Sequence, residues 1–176
     1  MTDFAASITI LSFVTAQRLA ELVYARRNEL RLRARGGREY AAEHYWLIVA
    51  LHGAWLGGLW LTSIGRSPSL FWLGTFIFLQ ALRLWVLVTL KERWTTRIIV
   101  LPDVALITEG PYRFMRHPNY AIVAAEILVL PLVFGLYAYG IAFTLANAGI
   151  LAIRIRAETL ALQRAASPST ELSRKA

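Results

Sequence analysis

Apolar residues in this chain gather into five long runs separated by polar punctuation, at about Phe4–Tyr24, His44–Ile64, Leu70–Leu90, Pro118–Phe134 and Tyr137–Ile153. A bilayer core about 30 Å thick takes roughly 20 residues of helix, so runs of this length predict membrane-crossing helices. The second and third are joined by GRSPS, Gly65–Ser69, a turn sequence. The fourth is short and carries Pro131 near its end. A soluble helical core can mimic one or two such runs but not five. The pattern predicts an all-α, integral membrane bundle of about five transmembrane helices, with one domain over residues 1–166. The polar tail SPSTELSRKA, Ser167–Ala176, is expected to be disordered.

Composition supports the membrane class: the 176 residues are 57% hydrophobic and 17% charged, more apolar than a soluble domain of this length needs. With no cysteine, disulfides, thiolate metal sites and cysteine nucleophiles are excluded. Three scattered histidines make no zinc motif, so no metal is expected. The net charge of +8 comes in bursts between the apolar runs, which argues for membrane topology and against nucleic acid as a partner. Arg26, Arg27, Arg31, Arg33, Arg35 and Arg38 follow the first run, whereas the second turn holds only Arg66. Lys91, Arg93, Arg97, Arg113 and Arg116 follow the third run, GLYAYG is uncharged, and Arg154, Arg156 and Arg164 follow the fifth. The excess of basic residues in alternate loops predicts an outside N-terminus, a cytoplasmic C-terminus and a multi-pass protein of the inner (cytoplasmic) membrane. The first run lacks a basic leader and a small-residue cleavage site, so it is expected to be a retained span.

The segment GPYRFMRHPNY, Gly110–Tyr120, stands directly before the fourth run. Pro118 suits the first position of a helix, where its missing N–H costs nothing, and His117 then falls at or beside the N-cap. Free amides and the positive end of the helix dipole favour an anion there, with Arg113 and Arg116 adding to the preference. Gly110-Pro111 is a turn that lets backbone approach a ligand. Basic residues and prolines also flank ordinary membrane helices, so the segment alone leaves both readings open. Polar residues inside the runs raise a second question. Glu126 lies eight residues past Pro118, about 12 Å into the membrane, where a carboxylate must be paired, protonated or functional. Arg83 in the third run is a potential partner, His52 lies mid-way along the second, and Arg18 with Glu21 suits a local pair.

RHPNY preceded by GPYR resembles the signature of the isoprenylcysteine carboxyl methyltransferase family, integral membrane enzymes that use S-adenosylmethionine and whose wider group includes phospholipid N-methyltransferases. RLAELVYARRN at Arg18–Asn28, RGGREYAAEHY at Arg35–Tyr45 and RIRAETLAL at Arg154–Leu162 are similar to a bacterial branch associated with type III polyketide synthases, which methylates the hydroxyl of long-chain alkylpyrones. The similarity extends to about residue 164. The resemblance implies a cytosolic pocket for S-adenosylmethionine, leaving as S-adenosylhomocysteine, built from Gly110, Pro111, Tyr112, Arg113, His117, Pro118, Tyr120 and Glu158. For such a methyl transfer, Arg156 or Arg154 is expected to orient an anionic acceptor, and Glu126 or His117 is the available base where the hydroxyl is protonated. The acceptor implied is a lipophilic small molecule reached from the bilayer, an alkylpyrone or alkylresorcinol. Isoprenylcysteine carboxyl methylation, phospholipid N-methylation and a non-enzymatic membrane protein are the alternatives. The chain departs from the family where a paired Glu-Glu is common: Glu158 is followed by Thr159, and a glycine- and tyrosine-containing tail is missing after Arg164.

Overall fold

The computed structural model describes residues 2–102 and 104–166; the tail Ser167–Ala176 lies outside them. Five helices run in the order α1 (Thr2–Ala34), α2 (Tyr45–Thr62), α3 (Leu70–Leu90), α4 (Pro118–Val133) and α5 (Tyr137–Ala166). Each grows from one of the five apolar runs. Among the described residues, α1, α2, α3 and α5 are long and apolar enough to cross a membrane. The fourth run forms a shorter helix of 16 residues, about 24 Å long. Its position explains how so short a helix is accommodated. Ile122, Val123, Glu126, Ile127 and the continuous stretch Val129–Val133 are buried, so α4 is enclosed by protein and need not match the lipid thickness. At its far end the Val133 carbonyl accepts the Ser69 amide at 2.8 Å, which sets the end of α4 level with the turn between α2 and α3.

The core lies between α1, α2, α3 and α4, where Leu11, Val14, Trp55, Leu59, Phe76, Ile127 and Leu130 are almost completely buried. The Trp55 indole N–H donates to the Ile127 carbonyl at 3.1 Å, so even this apolar layer satisfies its polar atom. A second cluster of Ala25, Val86, Trp94 and Ile122, with Tyr112 packed on it, sits nearer the basic end.

Besides the fifth helix, which runs past Ile153 to Ala166, two features depart from the sequence reading. The first helix does not stop near Tyr24 but continues through ARRNELRLRA to Ala34, because that stretch is built of helix-forming residues with an i,i+3 pair, Arg26 to Glu29 at 3.1 Å. It ends in a Schellman turn: Gly36 has φ +85°, its amide bonds the Arg33 carbonyl, and the Gly37 amide bonds the Leu32 carbonyl at 2.8 Å. The chain is also not wholly helical. Strands β1 (Arg38–Tyr40) and β2 (Ile98–Val100) pair antiparallel, Glu39 opposite Ile99. This small ladder ties the segment after α1 to the one after α3. Glu39 lies at its centre and takes Arg97 Nη1 at 2.5 Å and the Arg33 guanidinium. Burial works to raise the Glu39 carboxyl, but these two cations outweigh it and hold it below the ordinary value.

Candidate functional site

The residues singled out by the sequence fall into two groups at different depths. The shallower group forms where the start of α4 meets the second half of α5. His117 is the N-cap of α4 and Pro118 its first residue; the imidazole makes no capping hydrogen bond, which leaves it available to other partners. Its Nδ1 lies 3.5 Å from Glu158 Oε2, and its ring stacks on Tyr120 with centroids 5.6 Å apart. Helical spacing accounts for this: His117 and Tyr120 are three residues apart, one turn of the helix. Glu158 and Arg154, four apart on α5, face the same ring. The Arg154 guanidinium stands 6.0 Å from the Tyr120 centroid and donates through Nη2 to the Thr96 carbonyl at 2.8 Å. Four residues apart on one helix, Arg154 and Glu158 have the spacing of an i,i+4 ion pair. The structure separates their partners instead, one going to backbone and the other to histidine.

Tyr112 enters this group from a short 3₁₀ turn, Gly110–Arg113. Burial, reinforced by the nearby Glu158 carboxylate, raises its phenol above the ordinary value, so it stays protonated at neutral pH. The turn needs its glycine: Gly110 has φ +57°, and a Cβ there would meet Thr89 Oγ1 at 2.5 Å. Among the described residues, Asn119 Oδ1 and Arg154 Nε are buried here with no protein partner. One accepts and one donates, so the site carries unfilled hydrogen-bonding capacity of both kinds. Arg113 and Arg116 are exposed, unlike the half-buried His117 and Tyr120. Arg156 is exposed as well; two residues from Arg154, it points to the opposite side of α5. The structure therefore brings together Tyr112, His117, Tyr120, Arg154 and Glu158, but not Arg113 or Arg156. Thr96 and Asn119 carry no recognisable signal in the sequence, and only the fold places them here.

The deeper group is a closed charge network. Glu126, fully buried, accepts from Arg18 Nη2 at 2.7 Å, Arg83 Nη1 at 3.0 Å and Gln80 Nε2 at 2.9 Å. Arg83 also grips Glu21, and Gln17 bridges Glu21 and Gln80 at 3.2 and 2.6 Å. Two arginines against two glutamates leave no net charge, which is how such groups survive at this depth. The expected Arg83–Glu126 pair is present, and Arg18–Glu21 is present at 3.2 Å, but the second is no isolated local pair. With its oxygens committed to three donors, Glu126 does not join the shallower group. Its hydrogen bonds tie α4 to α1 and α3.

A family model described as the isoprenylcysteine carboxyl methyltransferase family matches residues 72–164, more than half of the chain and all of the shallower group. It includes Gln80, Arg83 and Glu126 but not Arg18 or Glu21. Over 159 residues the chain is 38% identical to the uncharacterized protein YpbQ of Bacillus subtilis, covering 88% of this chain and 95% of that one. Over 160 residues it is 28% identical to an uncharacterized protein of Haemophilus influenzae, covering 85% and 90%. No solved structure gives a significant match.

Proposed function

The chain belongs to the isoprenylcysteine carboxyl methyltransferase family, and on that premise we propose that this multi-pass membrane methyltransferase uses S-adenosylmethionine to methylate the hydroxyl of a long-chain alkylpyrone or alkylresorcinol. The observation that carries the reading is the convergence of His117, Tyr120, Arg154 and Glu158 where α4 meets α5. The cluster suits the cofactor's chemistry: Glu158 and the unpartnered Asn119 Oδ1 would accept from its amine and ribose, while the unpartnered Arg154 Nε and the first amides of α4 would donate to its carboxylate. The stacked rings of His117 and Tyr120 offer a face to a cation or an adenine. When bound, S-adenosylmethionine supplies an electrophilic methyl group on a sulfonium.

The protein's own part is chiefly to align the acceptor oxygen, because methyl transfer is an in-line displacement. An acidic enol is already largely ionised near neutral pH and needs an orienting cation more than a base. Arg154 is buried and fixed by Thr96, which suits it to that task. His117 is the group placed to hold a proton if the hydroxyl arrives neutral. The three segments that resemble the polyketide-associated branch support the acceptor class. Arg18–Asn28 supplies Arg18 and Glu21 of the deep network, Arg35–Tyr45 supplies β1, and Arg154–Leu162 supplies one wall of the cluster. A functional link to a type III polyketide synthase follows from the same resemblance. Basic residues crowd the end of the bundle that holds the cluster, which supports a cytoplasmic site in an inner membrane. Incubating reconstituted protein with methyl-labelled S-adenosylmethionine and either a long-chain alkylpyrone or a prenylated cysteine tests the reading. Label is expected in the alkylpyrone; label in the prenylcysteine alone would replace this acceptor with the other.

A further inference from the structure

Lys91 closes α3 with φ +49° and ψ −119°, a conformation in which a side chain is strained and glycine is not. Three bonds hold it there. Its amide reaches the Leu87 carbonyl, and its own carbonyl accepts from the Trp94 amide at 3.2 Å and from Asn28 Nδ2 at 3.0 Å. Asn28 is completely buried. A strained backbone maintained by a buried amide points to a side chain that is needed where it stands. Among the described residues no carboxylate pairs with the Lys91 ammonium: neighbouring Glu92 is engaged by Arg31 and Arg35 at 3.6 and 3.5 Å.

Lys91 borders two depressions of different character. One, of about 380 Å³, is an apolar groove between Tyr24 of α1 and Leu87 and Val88 of α3. The other, of about 510 Å³, mixes polar and apolar surface and takes in the paired Arg35 and Glu92 as well as Arg93 and Glu109. Arg93 is fixed over it by donation to the Ala105 carbonyl at 2.6 Å, and Glu109 has no basic partner among the described residues. This depression also carries exposed apolar surface that suits a lipid: its Leu106 is 63% exposed and nearby Phe114, tilted on Trp85 of α3, is 75% exposed. With Arg35 and Glu92 paired to each other, the apolar groove, the two remaining cations and the free carboxylate match an acyl chain, a phosphate and an ammonium. We propose that Lys91 and Arg93 seat the phosphate of a zwitterionic membrane phospholipid, with one acyl chain in the α1–α3 groove and the headgroup ammonium at Glu109. This lipid site lies across the Gly110 turn from the cluster on α4 and α5 and is independent of the methyl acceptor.

The test is native mass spectrometry of the detergent-purified full chain titrated with dioleoyl phosphatidylethanolamine or dioleoyl phosphatidylglycerol. Wild type is expected to retain one phosphatidylethanolamine in preference to phosphatidylglycerol. Lys91→Gly is expected to melt at a higher temperature, because the strain is relieved, while its lipid affinity falls on the order of tenfold. Lys91→Arg should keep the affinity, and Glu109→Gln should abolish the preference between the two lipids. Wild-type affinity in Lys91→Gly, a wild type that retains no lipid, or a preference for phosphatidylglycerol would each overturn the proposal.

Discussion

Arg83 holds Glu21 in a two-point grip, Nε to Oε1 at 2.5 Å and Nη2 to Oε2 at 2.6 Å, while its remaining nitrogen reaches Glu126 at 3.0 Å. One guanidinium on α3 thus fastens α1 to α4 in the interior of the bundle. Replacing it with leucine leaves two buried carboxylates short of a cation, and removing one partner of a buried pair costs about 3–5 kcal/mol. Arg83→Leu should therefore unfold well below wild type in a detergent melt. Glu126→Gln should lose stability too, with its affinity for S-adenosylmethionine unchanged. A Glu126→Gln protein of wild-type stability but without turnover would return Glu126 to a catalytic role.

The turn that ends α1 offers a second check. A Cβ on Gly37 would meet the Leu32 carbonyl oxygen at 2.7 Å and Ile99 Cγ2 at 2.9 Å. The first contact is backbone and cannot swing away. Gly37→Ala should cost about 1–3 kcal/mol, the usual range for overpacking, measured as a lowered melting temperature. An unchanged melt would show that α1 and β1 do not depend on this close approach.

The pairing at Glu39 makes stability depend on pH in a definite direction. Its folded-state carboxyl sits below the ordinary value because Arg97 and Arg33 outweigh the effect of burial. The stabilisation is therefore fully present above the ordinary carboxylate range and is lost as pH falls through the lowered folded-state value. Melting temperature followed downward from neutral pH should fall more steeply for wild type than for Glu39→Gln. Parallel curves would mean that the ladder adds nothing through this charge.

Much of this arrangement is legible in the sequence, and the parts that are not share a cause. Long apolar runs are a strong local signal, so all five helices arise where the runs lie, and Pro118 starts α4 as its missing N–H predicts. The Arg83–Glu126 pair follows from the cost of burying either charge alone. The β1–β2 ladder is not legible, since two three-residue strands show no alternation and their partners lie about sixty residues apart. The extra length of α1 is masked by its arginines, which read equally well as a loop or as an exposed helix beyond the membrane. Within the site, spacing brings His117 to Tyr120 and Arg154 to Glu158, but nothing local says that the two pairs meet or that Thr96 would hold Arg154. Helical spacing also separates Arg156 from Arg154, a consequence available beforehand but outweighed by their nearness in sequence.

The claim on which the account rests is that His117 and Glu158, 3.5 Å apart across α4 and α5, form part of the cofactor site. Isothermal titration calorimetry of S-adenosylmethionine into detergent-purified wild type, His117→Ala and Glu158→Ala tests it most directly. Hydrogen bonds to charged groups contribute about 1.5–3 kcal/mol, so each variant should bind roughly ten- to hundredfold more weakly while melting close to wild type. Full affinity in both variants would contradict the account and place the cofactor elsewhere on the protein.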